Sequence, residues 1–327
     1  MKKKVLAVLL VMVMVIGMFT GCGGGGNADS DLPRIGIIQM MEHDSLNTIY
    51  ENILVGLEAE GFKDGETVTI DYQNGQNDMT VMKTIVQRFV ADGCDVIIAI
   101  ATPAAQAALS ETSEIPIIFA AVTDPVDAAI VDSMEVPGGN VTGTSDAISP
   151  EDIMNLAKEI TPDFKTIGAL YSAGEDNSAS VIADLKAYAD ANGLTVIEST
   201  VTNTSEVQQA AQYLADKVDI VFSPIDNTVA SAMAVATDVL YGAGIPFYVS
   251  ADSMVNDGGL ATYGIDYTVL GQETGAMAAA VLGGEDTATM PVKTMDDMSI
   301  YVNTNTADLL GITIPDSVME KAIVLGE

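Results

Sequence analysis

The stretches IGIIQMMEHDSLN (35–47) and IGALYSAGEDNSA (167–179) begin two copies of one pattern, an apolar strand followed by a short polar run with a glutamate. Later segments recur in the same order: TVTIDYQNGQND (67–78) with TVIESTVTNTSE (195–206), DVIIAIATPAAQAAL (95–109) with DIVFSPIDNTVASAM (219–233), and IPIIFAAVTDP (115–125) with IPFYVSADSMV (245–255). The repeat distance is 124 residues from Asp95 to Asp219. Solenoid repeats are only roughly 20–50 residues long. The chain is therefore expected to form two similar lobes with a cleft between them.

Strand and helix patterns alternate throughout both copies. The apolar runs, such as DVIIAIA (95–101) and PIIFAAV (116–122), lack polar alternation, which is typical of strands buried on both faces of a parallel sheet. Helical patterns lie between them, and several end in glycine, a common helix stop. This alternation predicts an α/β fold of two doubly wound, Rossmann-like lobes with parallel sheets, joined by a multi-strand hinge.

The expected lobe boundaries follow from the repeat. The N-terminal lobe is predicted to span 34–147 and the C-terminal lobe 148–266. The remaining tail, which contains the helical pattern DYTVLGQETGAMAAAVLGGE (266–285) and the strand pattern MSIYVN (298–303), does not form a third copy. We expect about 267–297 to return to the N-terminal lobe and about 298–327 to return to the C-terminal lobe.

The N-terminus has the pattern of an export signal. Three lysines precede the apolar run VLAVLLVMVMVIGMF (5–19), which is short for a membrane-spanning helix of about 20 residues. The run ends in FTGC (19–22), which resembles the bacterial lipoprotein signal, although that signal usually has Leu where Phe19 stands. We expect a signal peptide over 1–21, lipidation of Cys22 and a Gly-rich flexible tether over 22–33. The protein would then be extracytoplasmic and anchored to the cell membrane. An ordinary secretory signal or an uncleaved anchor is the alternative.

Composition argues against several classes of function. The net charge of −33 is unsuited to nucleic acid, whose binding depends on cationic contacts to phosphate. One histidine and two cysteines supply a transition-metal site poorly. If Cys22 is lipidated, Cys94 has no disulfide partner and is expected to be a buried, inert thiol. No GxSxG, GxxxxGK[ST] or strand-following GxGxxG motif is present. We therefore expect neither catalysis nor a cofactor.

The candidate ligand-binding residues follow the predicted strands, because ligands of open α/β sheets bind outside the carboxyl ends of the strands. In the first copy they are Glu42, Thr102, Pro103, Ala104, Thr123 and Asp124; in the second they are Glu175, Asn177, Ser178, Asp226, Asn227, Asp252 and Asp266. His43 beside Glu42 is interpreted as a hydrogen-bonded structural residue or a member of the ligand shell.

The most specific of these signals is Thr102-Pro103, which suits the N-cap and first position of a helix. A helix start offers free backbone N–H groups to a carboxylate. Asp226-Asn227-Thr228 would open the matching helix of the second copy, although plain helix capping explains either motif. The chain has only Arg34 and Arg88, and neither follows a strand. A ligand carboxylate would therefore use N–H groups and hydroxyls.

Acidic residues at the strand ends suit a cationic group. Glu42, Glu175, Asp226 or Asp252 could match a ligand ammonium. An ammonium together with a carboxylate is a zwitterion, such as an amino acid. The chain also lacks tryptophan, the favoured platform for stacking a sugar, although tyrosine and phenylalanine remain.

Several segments together resemble the substrate-binding lipoproteins of ABC transporters, of the tryptophan/aromatic amino-acid type. They are EHDSLN (42–47), QNGQND (73–78), AIATPAAQAA (99–108), PIIFAAVTDPV (116–126), NVTGTSD (140–146), YSAGEDNS (171–178), SEVQQAAQYLA (205–215), DNTVASA (226–232) and YGIDYTVLGQETGAMA (263–278). Asn47 stands where the family's EHxxLD motif has an acidic residue. The resemblance implies a type I periplasmic-binding-protein fold and a closing cleft. It also implies ligand contacts near Glu42, Thr102, Thr123, Ser145, Asn177, Ser178, Asp226, Asn227 and Asp252.

These observations lead to one functional expectation. The chain is interpreted as the lipid-anchored, monomeric solute-binding component of an ABC importer. It would bind a small zwitterion, an aromatic or other apolar amino acid, and deliver it to a permease that works with a separate ATPase subunit. The same receptor for a sugar or nucleoside is the first alternative, and a ligand sensor without transport is the second. The sequence leaves the ligand's identity and the contacting residues open.

Overall fold

The structure is a computed structural model that describes residues 32–295 and 298–326. The predicted signal peptide, Cys22 and nearly all of the predicted tether lie outside the described residues. No helix within the described part is both long and apolar enough to cross a membrane.

The first copy of the repeat forms five strands and three helices. They are β1 (Arg34–Gln39), α1 (Asp44–Ala59), β2 (Thr69–Asn74), α2 (Met79–Ala91), β3 (Val96–Ile100), α3 (Thr102–Glu111), β4 (Ile117–Ala120) and β5 (Val141–Ser145). The second copy forms α4 (Pro150–Ile160), β6 (Thr166–Ser172), α5 (Asp176–Asn192), β7 (Thr195–Val201), α6 (Val207–Ala215), β8 (Ile220–Phe222), α7 (Asn227–Ala230), α8 (Met233–Gly242), β9 (Phe247–Tyr248), α9 (Asp252–Asn256) and β10 (Ala261–Gly264). A short 3-10 turn, Thr204–Glu206, precedes α6.

The tail adds three helices and three strands. They are α10 (Tyr267–Leu282), β11 (Lys293–Thr294), β12 (Ser299–Asn303), α11 (Thr304–Leu310), α12 (Asp316–Met319) and β13 (Ala322–Leu325). α10 packs along α1 and β11 pairs with β5, whereas β12 pairs with β10 and β13. The tail therefore contributes to both sheets.

The two sheets share one strand order. The first runs β2-β1-β3-β4-β5-β11 and the second β7-β6-β8-β9-β10-β12-β13. The described strands pair in parallel, except for the antiparallel pair of β10 and β12. We call the first sheet with its helices, including α10, the first lobe, and the second sheet with its helices the second lobe. The prediction of two similar doubly wound α/β lobes is confirmed.

Local sequence explains these elements. All five residues of β3, VIIAI, are buried, as expected for a central strand that helices cover on both faces. Asp78 caps α2, since its Oδ1 accepts from the Thr80 N–H at 2.7 Å. Gly193 follows the last residue of α5 and stops the helix, because it adopts the left-handed conformation (φ 66°) that glycine allows without steric cost. Cys94 is buried just ahead of β3, and burial raises the pKa of its thiol to about 11.

Glycines let α10 lie unusually close to α1. A Cβ at Gly275 would lie 2.4 Å from the carbonyl oxygen of Ile53, and one at Gly56 would lie 2.2 Å from that of Gln272. Any larger residue at either position would force the two backbones apart. The seam between the helices therefore fixes α10 in the first lobe, although α10 follows the whole second copy in the chain.

A buried carboxylate joins two of the chain crossings between the lobes. Asp146 follows β5, where the chain leaves the first sheet, and Tyr267 begins α10, where it returns. The Asp146 carboxylate is 1% exposed and accepts from Thr123 Oγ1 at 2.8 Å and from Tyr267 Oη at 3.2 Å. Burial raises the pKa of Asp146 to about 6, against the opposing effect of both hydroxyls.

Candidate functional site

The carboxyl ends of the two sheets face each other, and side chains bond directly from lobe to lobe. These bonds link His43 Nε2 with Asn227 Oδ1 (2.9 Å), Gln106 Nε2 with Asp176 Oδ2 (2.8 Å), Asn77 Nδ2 with Thr228 Oγ1 (3.5 Å), and the hydroxyls of Ser45 and Ser253. The lobes are therefore closed on each other. In the strand order β2-β1-β3, the direction of winding reverses between β1 and β3, and this is where such sheets hold ligands.

The turn after β3 presents the start of α3. Ala101 adopts φ 80°, a strained conformation for a residue with a Cβ, at a cost of about 1–3 kcal/mol. The prediction that Thr102 is the N-cap and Pro103 the first helical residue is wrong by one position, because the strained turn at Ala101 lets the helix begin at Thr102 itself. Pro103 and Ala104 are buried beside it. Thr102 is only 2% exposed, and its hydroxyl has no hydrogen-bond partner in the protein.

Glu175 holds the start of α7 in the second lobe. Its Oε2 accepts from the backbone N–H and the side-chain Nδ2 of Asn227, at 3.1 and 2.6 Å. Its Oε1 accepts from the backbone N–H and the hydroxyl of Thr228, at 3.1 and 2.9 Å. Both carboxylate oxygens are thus occupied by protein donors.

Asp226 is the N-cap of the same helix, and both of its carboxylate oxygens also accept from protein donors. Its Oδ1 accepts from Val229 N–H at 2.8 Å, and its Oδ2 accepts from Ser172 N–H at 2.6 Å and Ser178 Oγ at 2.7 Å. Burial, followed by the charge of Glu175, holds its pKa well above the usual range. The expectation that Glu175 or Asp226 offers a free carboxylate oxygen to a ligand ammonium therefore does not fit this arrangement.

Other sequence-predicted residues also bond within the protein. Thr123 donates its hydroxyl to Asp146, Ser145 donates to the Thr123 carbonyl at 3.0 Å, and Ser178 donates to Asp226. Asp124 accepts from Asp127 N–H at 2.9 Å within its own turn. Asp266 is exposed and caps α10 through Thr268 N–H at 2.8 Å. These contacts shape the walls of the cleft.

Two acidic candidates differ in their surroundings. Glu42 is exposed at the end of the turn after β1. Asp252, the first residue of α9, is partly buried, and burial raises its pKa to about 6, although it accepts from the Ser253 N–H. Asp252 is therefore the candidate carboxylate that combines partial burial with few protein partners.

Five buried side-chain polar atoms in the described part of the chain have no hydrogen-bond partner in the protein. They are Gln39 Oε1, His43 Nδ1, Thr102 Oγ1, Asn177 Oδ1 and Thr262 Oγ1. Gln39 ends β1, His43 lies in the turn after β1, Thr102 begins α3 just after β3, and Asn177 lies in the first turn of α5, which follows β6. Thr262 lies within β10. An unpaired buried polar atom costs about 1–3 kcal/mol, and native structures contain few of them. Their grouping at the strand ends marks the candidate ligand site.

The orientation of the two amides in this set is determined by their partners. Gln39 Nε2 donates to the Met41 carbonyl and to Asn47 Oδ1, both at 2.8 Å, so Gln39 Oε1 remains as an acceptor. Asn177 Nδ2 donates to the Ile225 carbonyl at 2.8 Å, so Asn177 Oδ1 also remains as an acceptor. Sequence reasoning missed Gln39, because it reads as part of the apolar strand. The oxygen that Asn47 supplies here is one that an aspartate would supply as well.

Charged groups for a metal or an anionic ligand are scarce at this site. Arg88 pairs with Asp71 on the outer strand β2 and with Asp92 at 3.7 Å. Within 32–295 and 298–326, no group of three or more His, Cys, Asp or Glu side chains is arranged to hold a metal ion. The site therefore offers neutral acceptors, the Thr102 hydroxyl and the start of α3, together with the partly buried carboxylate of Asp252.

Sequence comparison places the chain in a known family. The family model described as ABC transporter substrate binding protein matches residues 34–324. A tyrosine-binding protein of Clostridioides difficile (strain R20291) is 41% identical over 318 residues, which are 94% of this chain and 92% of that protein.

Solved structures agree, and they also distinguish two arrangements of the lobes. A Streptococcus pneumonia ABC domain in complex with L-Trp is 42% identical and superposes with a TM-score of 0.87, covering 90% of this chain and 99% of that one. The ligand-free, open form of a Clostridium difficile substrate-binding protein with adhesive properties is 41% identical, with coverage of 90% and 100%, yet its TM-score is 0.69. At nearly equal identity, the present lobes match the arrangement of the L-Trp complex better. A leucine-binding protein of Thermotoga maritima, 14% identical with a TM-score of 0.58, shares the fold alone.

The lobes, their closed cleft and these relatives agree with the resemblance in the sequence. The fold is that of the type I periplasmic binding proteins, and the family consists of extracytoplasmic binding proteins rather than enzymes. The chain belongs to the ABC transporter substrate-binding protein family.

Proposed function

We propose that this protein binds an α-amino acid with an aromatic or other apolar side chain between its lobes and delivers it to an ABC permease that works with a separate ATPase subunit. In this proposal it acts as a monomer, without catalysis or a cofactor. Residues 34–147 with 267–297 form the lobe that holds the ligand's charged groups. Residues 148–266 with 298–327 close over it.

The observation that carries the proposal is the arrangement of unpartnered atoms at the ends of β1 and β3. β1 and β3 are neighbouring strands, roughly 4.8 Å apart, so groups at their carboxyl ends can contact the ammonium and the carboxylate of one amino acid, which a single carbon atom joins. The β1 end offers the acceptors Gln39 Oε1 and His43 Nδ1, and the β3 end offers Thr102 Oγ1 and the first N–H groups of α3. Acceptors suit an ammonium, and the hydroxyl with the helix start suits a carboxylate.

The aromatic side chain of the proposed ligand is inferred from the ligands named for two relatives. One relative at 41% identity is named for tyrosine, and one at 42% identity was solved with L-Trp. Asn177 Oδ1 of the second lobe is a further unpartnered acceptor, and both tyrosine and tryptophan carry a side-chain donor. Sugar hydroxyls could also donate to the acceptors at the β1 end, so it is the relatives that make the sugar or nucleoside alternative weaker.

A thermal-shift panel of amino acids, sugars and nucleosides tests the ligand class. A ligand at 100 times its Kd adds about 2.7 kcal/mol of stability, which at roughly 2–4 °C per kcal/mol is readily measured. We expect L-tyrosine or L-tryptophan to raise the Tm. A response confined to sugars or nucleosides would refute the amino-acid assignment.

Thr102→Val should weaken binding of L-tyrosine and L-tryptophan by about 10- to 100-fold, because one hydrogen bond to the ligand carboxylate is lost. The fold should be unaffected, since Thr102 Oγ1 has no protein partner. Calorimetric titration measures the affinity. Thr84→Val is the matched control, because Thr84 is exposed on α2 and bonds only to the Thr80 carbonyl. Equal affinities of both variants would remove Thr102 from the site.

We also propose that Cys22 is lipidated and anchors the protein to the outer face of the cell membrane. Cys22→Ser should move the protein from the membrane fraction to the soluble fraction, because a lipid chain provides the membrane affinity. Immunoblotting of the two fractions measures this change, with Cys94→Ser as the control that leaves the anchor intact. Unchanged membrane retention of Cys22→Ser would contradict lipidation.

Transport and sensing make different predictions for a strain that lacks this protein. If it serves a permease, high-affinity uptake of the bound amino acid should be lost. If it is a sensor, uptake should persist while transcription ceases to respond to the amino acid. The family match supports the first outcome.

A further inference from the structure

His43 links the two lobes through a chain of hydrogen bonds whose direction can be deduced atom by atom. The chain begins at Glu175, whose carboxylate accepts from Asn227 Nδ2 at 2.6 Å. A carboxylate only accepts, so the amide nitrogen of Asn227 must face Glu175 and its oxygen must face the opposite lobe. Asn227 Oδ1 therefore acts as the acceptor in its contact with His43.

The direction of that contact determines the tautomer of the ring. His43 Nε2 lies 2.9 Å from Asn227 Oδ1 and must donate its proton. Burial lowers the pKa of His43, which keeps the ring neutral, so Nδ1 carries no proton. Nδ1 is buried without a protein partner, and it is therefore an acceptor that lacks a donor.

The position of His43 on the chain places this acceptor at the ligand site. His43 is the residue before α1 and follows β1 closely, and Gln39 Oε1 at the end of β1 is a second unpartnered acceptor. Thr102 and the start of α3 lie at the end of the neighbouring strand β3. The ring thus connects the acceptors of the first lobe with Asn227 of the second.

We propose that His43 Nδ1 accepts a hydrogen bond from the ligand's ammonium group while Nε2–H holds Asn227 of the second lobe, so that one side chain couples recognition of the ammonium to lobe closure. The proposal rests on the proposed function, an α-amino acid ligand, and adds a residue that senses the ammonium. A ligand without a donor at this point leaves Nδ1 unpaired in the closed state and disfavours closure.

A double-mutant cycle between the protein and the ligand tests the contact. The probes are L-tyrosine and its deamino analogue 3-(4-hydroxyphenyl)propionate, and the variant is His43→Gln. Glutamine places its amide nitrogen near the position of Nε2 and can still donate to Asn227, but it has no acceptor where Nδ1 lies. His43→Gln should lower the affinity for L-tyrosine about tenfold and change that for the deamino analogue by less than about threefold.

Gln106→Ala is the matched control. It removes an interlobe hydrogen bond of similar length, from Gln106 to Asp176 at 2.8 Å, on helices α3 and α5. A residue that only stabilises the closed lobes should weaken both ligands equally. We therefore expect Gln106→Ala to lower the affinities for L-tyrosine and for its deamino analogue by the same factor. An equal effect for His43→Gln would overturn the proposal.

The sole histidine of the chain permits a second, direct measurement. The ¹⁵N spectrum of histidine-labelled protein with L-tyrosine should show a neutral ring protonated at Nε2, with the Nδ1 resonance shifted by a hydrogen bond relative to the free protein. A ring protonated at Nδ1, or an imidazolium, would overturn the inference. If neither L-tyrosine nor L-tryptophan binds, the proposed function fails. If one of them binds but His43 shows no coupling, only this inference fails.

Discussion

Glu175→Ala should lower the free energy of unfolding by about 3 kcal/mol or more, because four buried donors lose their acceptor at once. The backbone N–H groups of Asn227 and Thr228 begin α7 and have no partner within that helix. Relief of the repulsion between Glu175 and Asp226 offsets part of the loss. Urea unfolding followed by circular dichroism measures the change.

Asp266→Ala is a matched control for this prediction. Asp266 also caps a helix, α10, but it is exposed and accepts from one N–H group, so its loss should cost about 1 kcal/mol. A loss for Glu175→Ala no larger than that for Asp266→Ala would show that the four hydrogen bonds contribute little. Asn227 would also lose its orientation in Glu175→Ala, so ligand binding should weaken together with stability.

Acidification from pH 7 to pH 4 should raise the contribution that Asp146 makes to the free energy of unfolding. Burial raises the pKa of Asp146 from 3.8 to about 6, so the folded state holds a proton that the unfolded state has released. The contribution is fully present below pH 3.8 and is lost as the pH rises through about 6. A difference of about two pH units corresponds to about 3 kcal/mol. Asp252, also with a pKa of about 6, acts in the same direction.

The variant Asp146→Asn separates the pH-dependent contribution of Asp146 from the contributions of the other titrating groups. The amide oxygen can accept from Thr123 Oγ1, and the amide nitrogen can donate to Tyr267 Oη, so both hydrogen bonds are kept without a buried charge. The variant should be more stable than the wild type at pH 8 and about equal to it at pH 4. Urea unfolding across this range measures both. Parallel pH profiles for the two proteins would show that Asp146 is not the titrating group.

The architecture was predictable because each strand carries its own signal. The fully apolar runs ending at Ile100 and Ala120 can be buried only in the middle of a sheet that helices cover on both faces. The recurrence of the same segments in the same order required the two sheets to share one strand order, and they do. The exact helix start at Thr102 was misplaced, because a strained backbone at Ala101 has no signature in the sequence.

The site was harder to predict, because a polar residue after a strand can bond either to a ligand or to the start of a neighbouring helix. Glu175 and Asp226 looked like ligand carboxylates, but both serve the start of α7. Whether a carboxylate bonds to a ligand or to a helix end depends on distances of a few ångströms. The spacing of residues along the sequence does not reveal such distances. Gln39 was missed for the opposite reason. It stands at the end of β1, where only the bonds of its amide nitrogen show that its oxygen is left unpaired.

The glycine seam between α1 and α10 has a consequence for how the chain folds. The first lobe takes α10 and β11 from residues 267–294, so its apolar surface beneath α10 remains uncovered until the second copy has been synthesised. Domains commonly fold from the N-terminus as they emerge, but here the order is reversed for part of the structure. The second lobe still needs β12 and β13 from the last residues. Neither lobe can be completed until nearly the whole chain has been synthesised, and the apolar surface beneath α10 can aggregate until then.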